Sequence, residues 1–165
     1  MKVLVTAASR HGSTREIVEW IAEELRAVGI DSDTADIKNV TDVADYDGVV
    51  IGSAIYVGQW LTEARDLIDH LSPELQDKHV WLFSSGLADA PAKDANGTPS
   101  LKSRMEQTGA QGHRHFPGKL DVLDLSLAER AAIMAARGKY GDNRDPKAIR
   151  EWAREIGQAL VGANV

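Results

Sequence analysis

The sequence predicts an α/β fold, a doubly wound parallel sheet with helices on both faces. Three observations lead to it. Short apolar runs at residues 3–5, 48–52 and 79–83 alternate with segments of helical period, the arrangement that builds a parallel sheet covered on both sides. Each of these runs ends in a loop of small, hydroxyl-bearing residues. The chain has 165 residues, 43% of them hydrophobic, enough for one core, and so predicts a single domain over residues 1–165.

Val3, Leu4 and Val5 form the first buried strand. A helix over residues 14–27 follows, because Ile17, Trp20, Ile21 and Leu25 recur on one stripe and Gly29 stands where a helix stops. Residues 32–37 read as a weaker strand before a turn region at 42–47. Gly48-Val49-Val50-Ile51-Gly52 is the next buried strand, and residues 61–71 are the second helix, with Ser72-Pro73 beyond its end. His79-Val80-Trp81-Leu82-Phe83 is a fourth strand, ending in Ser84-Ser85-Gly86. Residues 87–100, with Pro91, Gly97 and Pro99, read as a long polar loop of the functional or mobile kind. Residues 101–108 are predicted as a short helix, 111–120 as a broken strand with a bulge or insertion, and 127–137 as helix-like. Asp145-Pro146 supplies a cap and first-turn pair for a last helix over 147–160, whose apolar stripe of Ile149, Trp152 and Ile156 assigns Trp152 to the core.

Composition excludes several classes of function. No apolar run reaches about 18 residues and no charged-then-apolar leader is present, so no transmembrane segment is expected and the cytoplasm is the predicted location. The absence of cysteine removes disulfides, thiolate metal sites, iron–sulfur clusters and cysteine nucleophiles, which leaves redox chemistry to a bound organic cofactor or to a metal with another ligand set. A net charge of −6 argues against a nucleic-acid partner.

The first loop, Ala7-Ala8-Ser9-Arg10-His11-Gly12-Ser13-Thr14, joins a strand to a helix and pivots on Gly12. The first N–H groups of a helix lack intrahelical partners and carry the positive end of its dipole, so they favour a phosphate, and Ser9, Ser13 and Thr14 add hydroxyl donors. The competing reading is an ordinary helix cap by Ser13 or Ser9. The loop has neither a G-x-x-x-x-G-K-[ST] nor a G-x-G-x-x-G pattern, which argues against nucleotide triphosphatases and standard dinucleotide folds. A phosphate monoester fits it better.

Two further loops are expected at the same sheet edge. Residues 53–60 bring two aromatics, Tyr56 and Trp60, around Gly58, and Ser84-Ser85-Gly86 allows close backbone approach, so a planar ligand with a phosphate tail fits the three loops together. Tyr56 and Trp60 are candidates to stack on that ring. His113 and His115 are read as surface histidines on an edge strand and not as a metal pair, so no metal site is expected. Asp142, Arg144 and Asp145 read equally well as charges paired near a site and as a solvated loop and helix cap. A phosphoacceptor receiver domain shares this element order, but it needs acids where this chain has Ala7-Ala8-Ser9 and Ser53-Ala54.

Ser9-x-x-Gly12-x-Thr14-Arg15-Glu16-Ile17, Val50-Ile51-Gly52-Ser53-Ala54-Ile55-Tyr56-x-Gly58 and the stretch 148–156 resemble the flavodoxin superfamily, and within it the menaquinone-dependent protoporphyrinogen oxidase-like group. The resemblance implies a flavodoxin-like sheet and noncovalent flavin mononucleotide (FMN) as cofactor. It implies that Ser9, His11, Gly12, Ser13 and Thr14 bind the phosphate, while Ser53, Ala54, Tyr56, Gly58, Ser85 and Gly86 border the flavin ring. No side chain is then required as acid or base, since the flavin carries the electrons. The expected activity is that of an oxidoreductase with a redox partner or small organic substrate, a tetrapyrrole or a quinone. The alternative is an electron carrier without a substrate of its own. Residues 121–138 lack the aromatics that the resembled oxidase has before its last helix.

Overall fold

The computed structural model describes residues 1–9, 12–56, 59–86, 99–117, 119–120, 141–142 and 144–163. Strand β1 (Lys2–Ala8) leads into helix α1 (Ser13–Ala27) and strand β2 (Asp31–Asp36). Ile37, expected as the last residue of β2, instead starts a single 3-10 turn (Ile37–Asn39), because the Asp36 carboxylate accepts the Lys38 N–H at 3.0 Å and turns the chain. β3 (Gly48–Tyr56), the two-residue β4 (Gln59–Trp60) and α2 (Thr62–Leu75) follow. Next come β5 (His79–Gly86), α3 (Pro99–Thr108) and β6 (Gly112–Pro117). A small antiparallel pair, β7 (Lys119–Leu120) with β8 (Gly141–Asp142), precedes α4 (Pro146–Ala163).

The main sheet has the order β2-β1-β3-β5-β6, all parallel, and β4 folds back antiparallel onto the end of β3. This is the doubly wound α/β architecture that the alternating runs predict. Alternation along each strand divides its side chains between two cores. Val3, Val5, Val50, Trp81 and Phe83 pack under α1 and α4, and Leu4, Val49, Ile51, Val80 and Leu82 pack under α2. Trp152 of α4 lies in the first of these cores, where it meets the rings of Phe83 and Phe116 at 6.1 and 5.5 Å in edge-on contacts. Gly52 stands opposite Phe83 in register, and a Cβ there would lie 2.1 Å from the ring, so the glycine makes room for the aromatic cluster.

Helix α2 runs one turn past the expected stop, with Pro73 inside it. The lost N–H bond is offset by Leu75, which the extra turn brings to full burial one turn after the buried Leu71. α4 starts at Pro146 as predicted, with the Asp145 carboxylate accepting the N–H groups of Lys147 and Ala148. α3 begins at Pro99, within the stretch expected as loop; the remainder of that stretch and the expected helix at 127–137 lie outside the described residues. No helix among the described residues is long and apolar enough to cross a membrane.

Candidate functional site

The order β2-β1-β3 places neighbours of β1 on opposite sides, and their connections leave in opposite directions. Such a reversal opens a crevice beyond the carboxyl ends of the strands. Register brings the three predicted loops level there: Ala8 lies opposite Ser53, Ser53 opposite Ser84, and Ala54 opposite Ser85.

Gly12, at φ +84°, is the N-cap residue of α1, and no side chain makes a capping bond at that position. The left-handed backbone suits glycine and turns the chain tightly into the helix. Ser9 is half-buried, and its Oγ accepts the Gly12 N–H at 3.0 Å, so its hydroxyl stabilises the loop ahead of the helix. Neither Ser9 nor Ser13 is the cap residue. Ser13 opens the helix, and His11 lies outside the described residues. Thr14 is fully buried, and its Oγ1 has no hydrogen-bond partner among the described residues. A buried hydroxyl left in this state costs about 1–3 kcal/mol. It stands in the first turn of α1, where N–H groups lack intrahelical acceptors, the place at which the sequence leads to the expectation of a phosphate.

The second and third loops divide into lining and support. Ser53 is fully buried, with its Oγ accepting the Leu61 N–H at 2.9 Å and donating to the Ala54 carbonyl at 2.8 Å. Its hydroxyl therefore anchors the start of α2 and is not presented to a ligand. Trp60 is only 5% exposed, and its Nε1–H donates to Ser84 Oγ at 2.8 Å while Arg104 lies 5.7 Å from the centre of its ring. The predicted stacking role thus gives way to a supporting one, because the indole is spent on the core beside α2. Ala54 is half-buried at the edge, and Tyr56 ends β3. Ser85 is buried, with no partner for its Oγ among the described residues. A Cβ at Gly86 would come within 2.9 Å of Ile55, so this glycine lets the ends of β3 and β5 close together. Gly58 lies outside the described residues.

The sequence reading missed two supports. His113, expected at the surface, turns inward so that Nε2 meets Ser84 Oγ at 2.8 Å. Burial pushes its pKa down to about 4, with His115 and Arg114 adding to the effect, so the ring is neutral. Arg144, read equally as part of a solvated loop or as paired near a site, has a side chain only 5% exposed and pairs with Glu16, a partner the sequence did not name, at 3.2 Å. No local signal marks either residue, since both partners come from distant parts of the chain.

A cleft of about 610 Å³ flanks the first loop. It runs from Ser9 across the ends of β1 and β2 to Lys38 and the first turn of α2. Its charges are mixed: Arg15 faces Asp36 at 3.8 Å, and Thr34 donates to Glu19 at 3.3 Å. Among the described residues no cluster of three or more His, Asp or Glu could hold a metal ion.

Comparison with known proteins agrees with this geometry. Protoporphyrinogen IX dehydrogenase [quinone] of Escherichia coli K12 is 30% identical over 105 residues, which is 62% of this chain and 57% of that protein. The chain therefore matches little more than half the length of this curated relative. Among solved structures, rubredoxin oxygen:oxidoreductase from Desulfovibrio gigas superposes with a TM-score of 0.68 at 16% identity, over 98% of this chain and 36% of that one. The Fusobacterium nucleatum flavodoxin bound to flavin mononucleotide gives 0.58 at 17% identity, over 96% and 98% of the two chains. The flavodoxin domain family model matches residues 4–147. With the strand order, the turn at Gly12 and this match over most of its length, the chain belongs to the flavodoxin domain family.

Proposed function

We propose that this chain binds FMN noncovalently at the carboxyl edge of its sheet and acts as a flavin-dependent oxidoreductase. The observation that carries the proposal is the buried hydroxyl of Thr14 at the start of α1, which has no hydrogen-bond partner among the described residues. A phosphate there gives Thr14 Oγ1 an acceptor and meets the positive end of the helix dipole. Ser85 offers a second buried hydroxyl without a partner among the described residues, on the strand that flanks the expected ring position. The loop has one anion site and no second glycine-rich turn, which suits one phosphate and not a pyrophosphate. Bound FMN supplies the electron transfer. The protein holds the phosphate through Ser13 and Thr14 and borders the ring with Ala54, Tyr56, Gly58, Ser85 and Gly86. His11 and Gly12 complete the phosphate turn, with Ser9 holding Gly12 in place.

Residues 53–60 carry no charge. Acidic groups around a flavin oppose its reduced anion by like-charge repulsion, and this loop lacks them. Two-electron exchange with a tetrapyrrole or a quinone is the activity we assign, in line with the name of the Escherichia coli relative. One observation favours the second reading, an electron carrier: the flavodoxin of Fusobacterium nucleatum is matched along nearly its whole length.

Two measurements test this. Titration with FMN is expected to quench flavin fluorescence at a stoichiometry of about one per chain, and inorganic phosphate is expected to compete weakly; absence of quenching with FMN in large excess rejects the cofactor. The flavin-loaded protein is then reduced without oxygen and mixed with a menaquinone analogue, and the oxidised form is mixed with protoporphyrinogen. Accelerated electron transfer with either compound supports the enzyme, whereas reduction in separate one-electron steps with no acceleration by either supports the carrier.

A further inference from the structure

We propose that Arg144 is a positioning residue for the phosphate site, neutralising Glu16 so that the first turn of α1 accepts a dianion. This rests on the FMN reading above. Glu16 stands in the first turn of α1, two residues after Thr14. An acid there interacts favourably with the helix dipole while no anion is bound. A phosphate at the same helix end, within about one turn or ~5 Å of rise, meets the carboxylate as a like charge.

Arg144 answers that charge from the other end of the chain. Its Nη1 lies 3.2 Å from Glu16 Oε2, and its guanidinium carbon lies 4.9 Å from the centre of the Trp20 ring, one turn further along α1. Trp20 and the burial of the Arg144 side chain hold the planar group in place, so little freedom is lost in making the pair. Arg144 adjoins Asp145, the residue that caps α4, so docking of α4 against α1 sets the position of the charge. Among the described residues, α1 and α4 themselves are joined by ion pairs of Glu23 and Glu24 with Arg150 and Arg154, about two turns further from the start of α1. They serve as internal controls, because they join the same two helices away from the phosphate.

The test measures FMN and riboflavin affinity at low ionic strength for wild type, R144M, R144K, E16Q, E16Q/R144M and R150M. R144M is expected to weaken FMN roughly three- to sixfold, the scale of one charge at such a distance in a solvated setting, and to leave riboflavin, which has no phosphate, unchanged. R144K and R150M bind FMN like wild type, E16Q binds it more tightly, and E16Q/R144M regains what R144M loses. Equal losses of FMN and riboflavin in R144M, or no rescue by E16Q, overturn the proposal in favour of a packing role. Unchanged FMN affinity in R144M overturns it outright while the cofactor reading stands. A wild-type protein that binds no FMN overturns both. If R144M does not fold, tightening by E16Q decides: its absence overturns the proposal.

Discussion

Replacing Thr14 by Val weakens FMN binding by about 1.5–3 kcal/mol, roughly tenfold or more in affinity, and at the same time stabilises the ligand-free protein. The two effects have one cause. Thr14 is fully buried and its Oγ1 has no partner among the described residues, so the ligand-free fold is expected to carry the cost of a desolvated hydroxyl. Valine fills nearly the same volume with a methyl group and removes that cost. With phosphate bound, the hydroxyl becomes a donor to a charged acceptor in a site that excludes water, where such bonds are stronger than neutral ones. Fluorescence titration and thermal unfolding of the same preparation check both signs. Lower stability with unchanged affinity assigns the hydroxyl to the fold and removes the main support for the phosphate site.

Wild-type stability falls by about 2 kcal/mol between pH 7.5 and pH 5 through His113 alone, and His113→Gln abolishes that fall. The imidazole is neutral in the folded protein because burial lowers its pKa to about 4. Trp60 Nε1–H donates to Ser84 Oγ, and the same Oγ lies 2.8 Å from His113 Nε2, so the neutral ring shares a hydrogen bond with the serine. In the unfolded chain the ring takes up a proton below about pH 6.5. Stability is therefore complete above that value and is lost progressively as the pH falls toward 4. The carboxylates of Glu24 and Asp33, held low chiefly by hydrogen bonds from Arg154 and Tyr46, lose their contributions at lower pH. Between pH 7.5 and pH 5 the difference between wild type and the glutamine variant therefore reports His113. Glutamine keeps an acceptor for Ser84 and does not titrate. Urea unfolding at the two pH values checks this; parallel losses in both proteins show that His113 is not held neutral.

The elements of the fold were legible in the sequence because strand and helix patterns are local. The run Val3-Leu4-Val5, the stripe through Ile17, Ile21 and Leu25, and Asp145-Pro146 at the start of α4 each state an element and its buried face within a few residues. The candidate phosphate loop was legible for the same reason, since a strand, a glycine turn and a hydroxyl-bearing helix start are consecutive. What those residues do with their hydroxyls was not. Ser9 holds Gly12, Ser53 holds Leu61, and Thr14 holds nothing in the described structure, although Ser9 and Thr14 read alike as phosphate donors and Ser53 as a neighbour of the ring. Trp60 reads as a stacking residue until the fold of β4 against β3 turns it toward Ser84, and His113 reads as exposed until β6 pairs with β5. Arg144 reads equally as solvated or as paired near a site until α4 docks on α1 and brings it to Glu16 and Trp20. In each case the deciding partner is set by strand register or helix docking, which the hydrophobic pattern selects only as a whole. A single residue's burial, charge partner and protonation then follow from neighbours far away in the chain, and these only the tertiary structure decides.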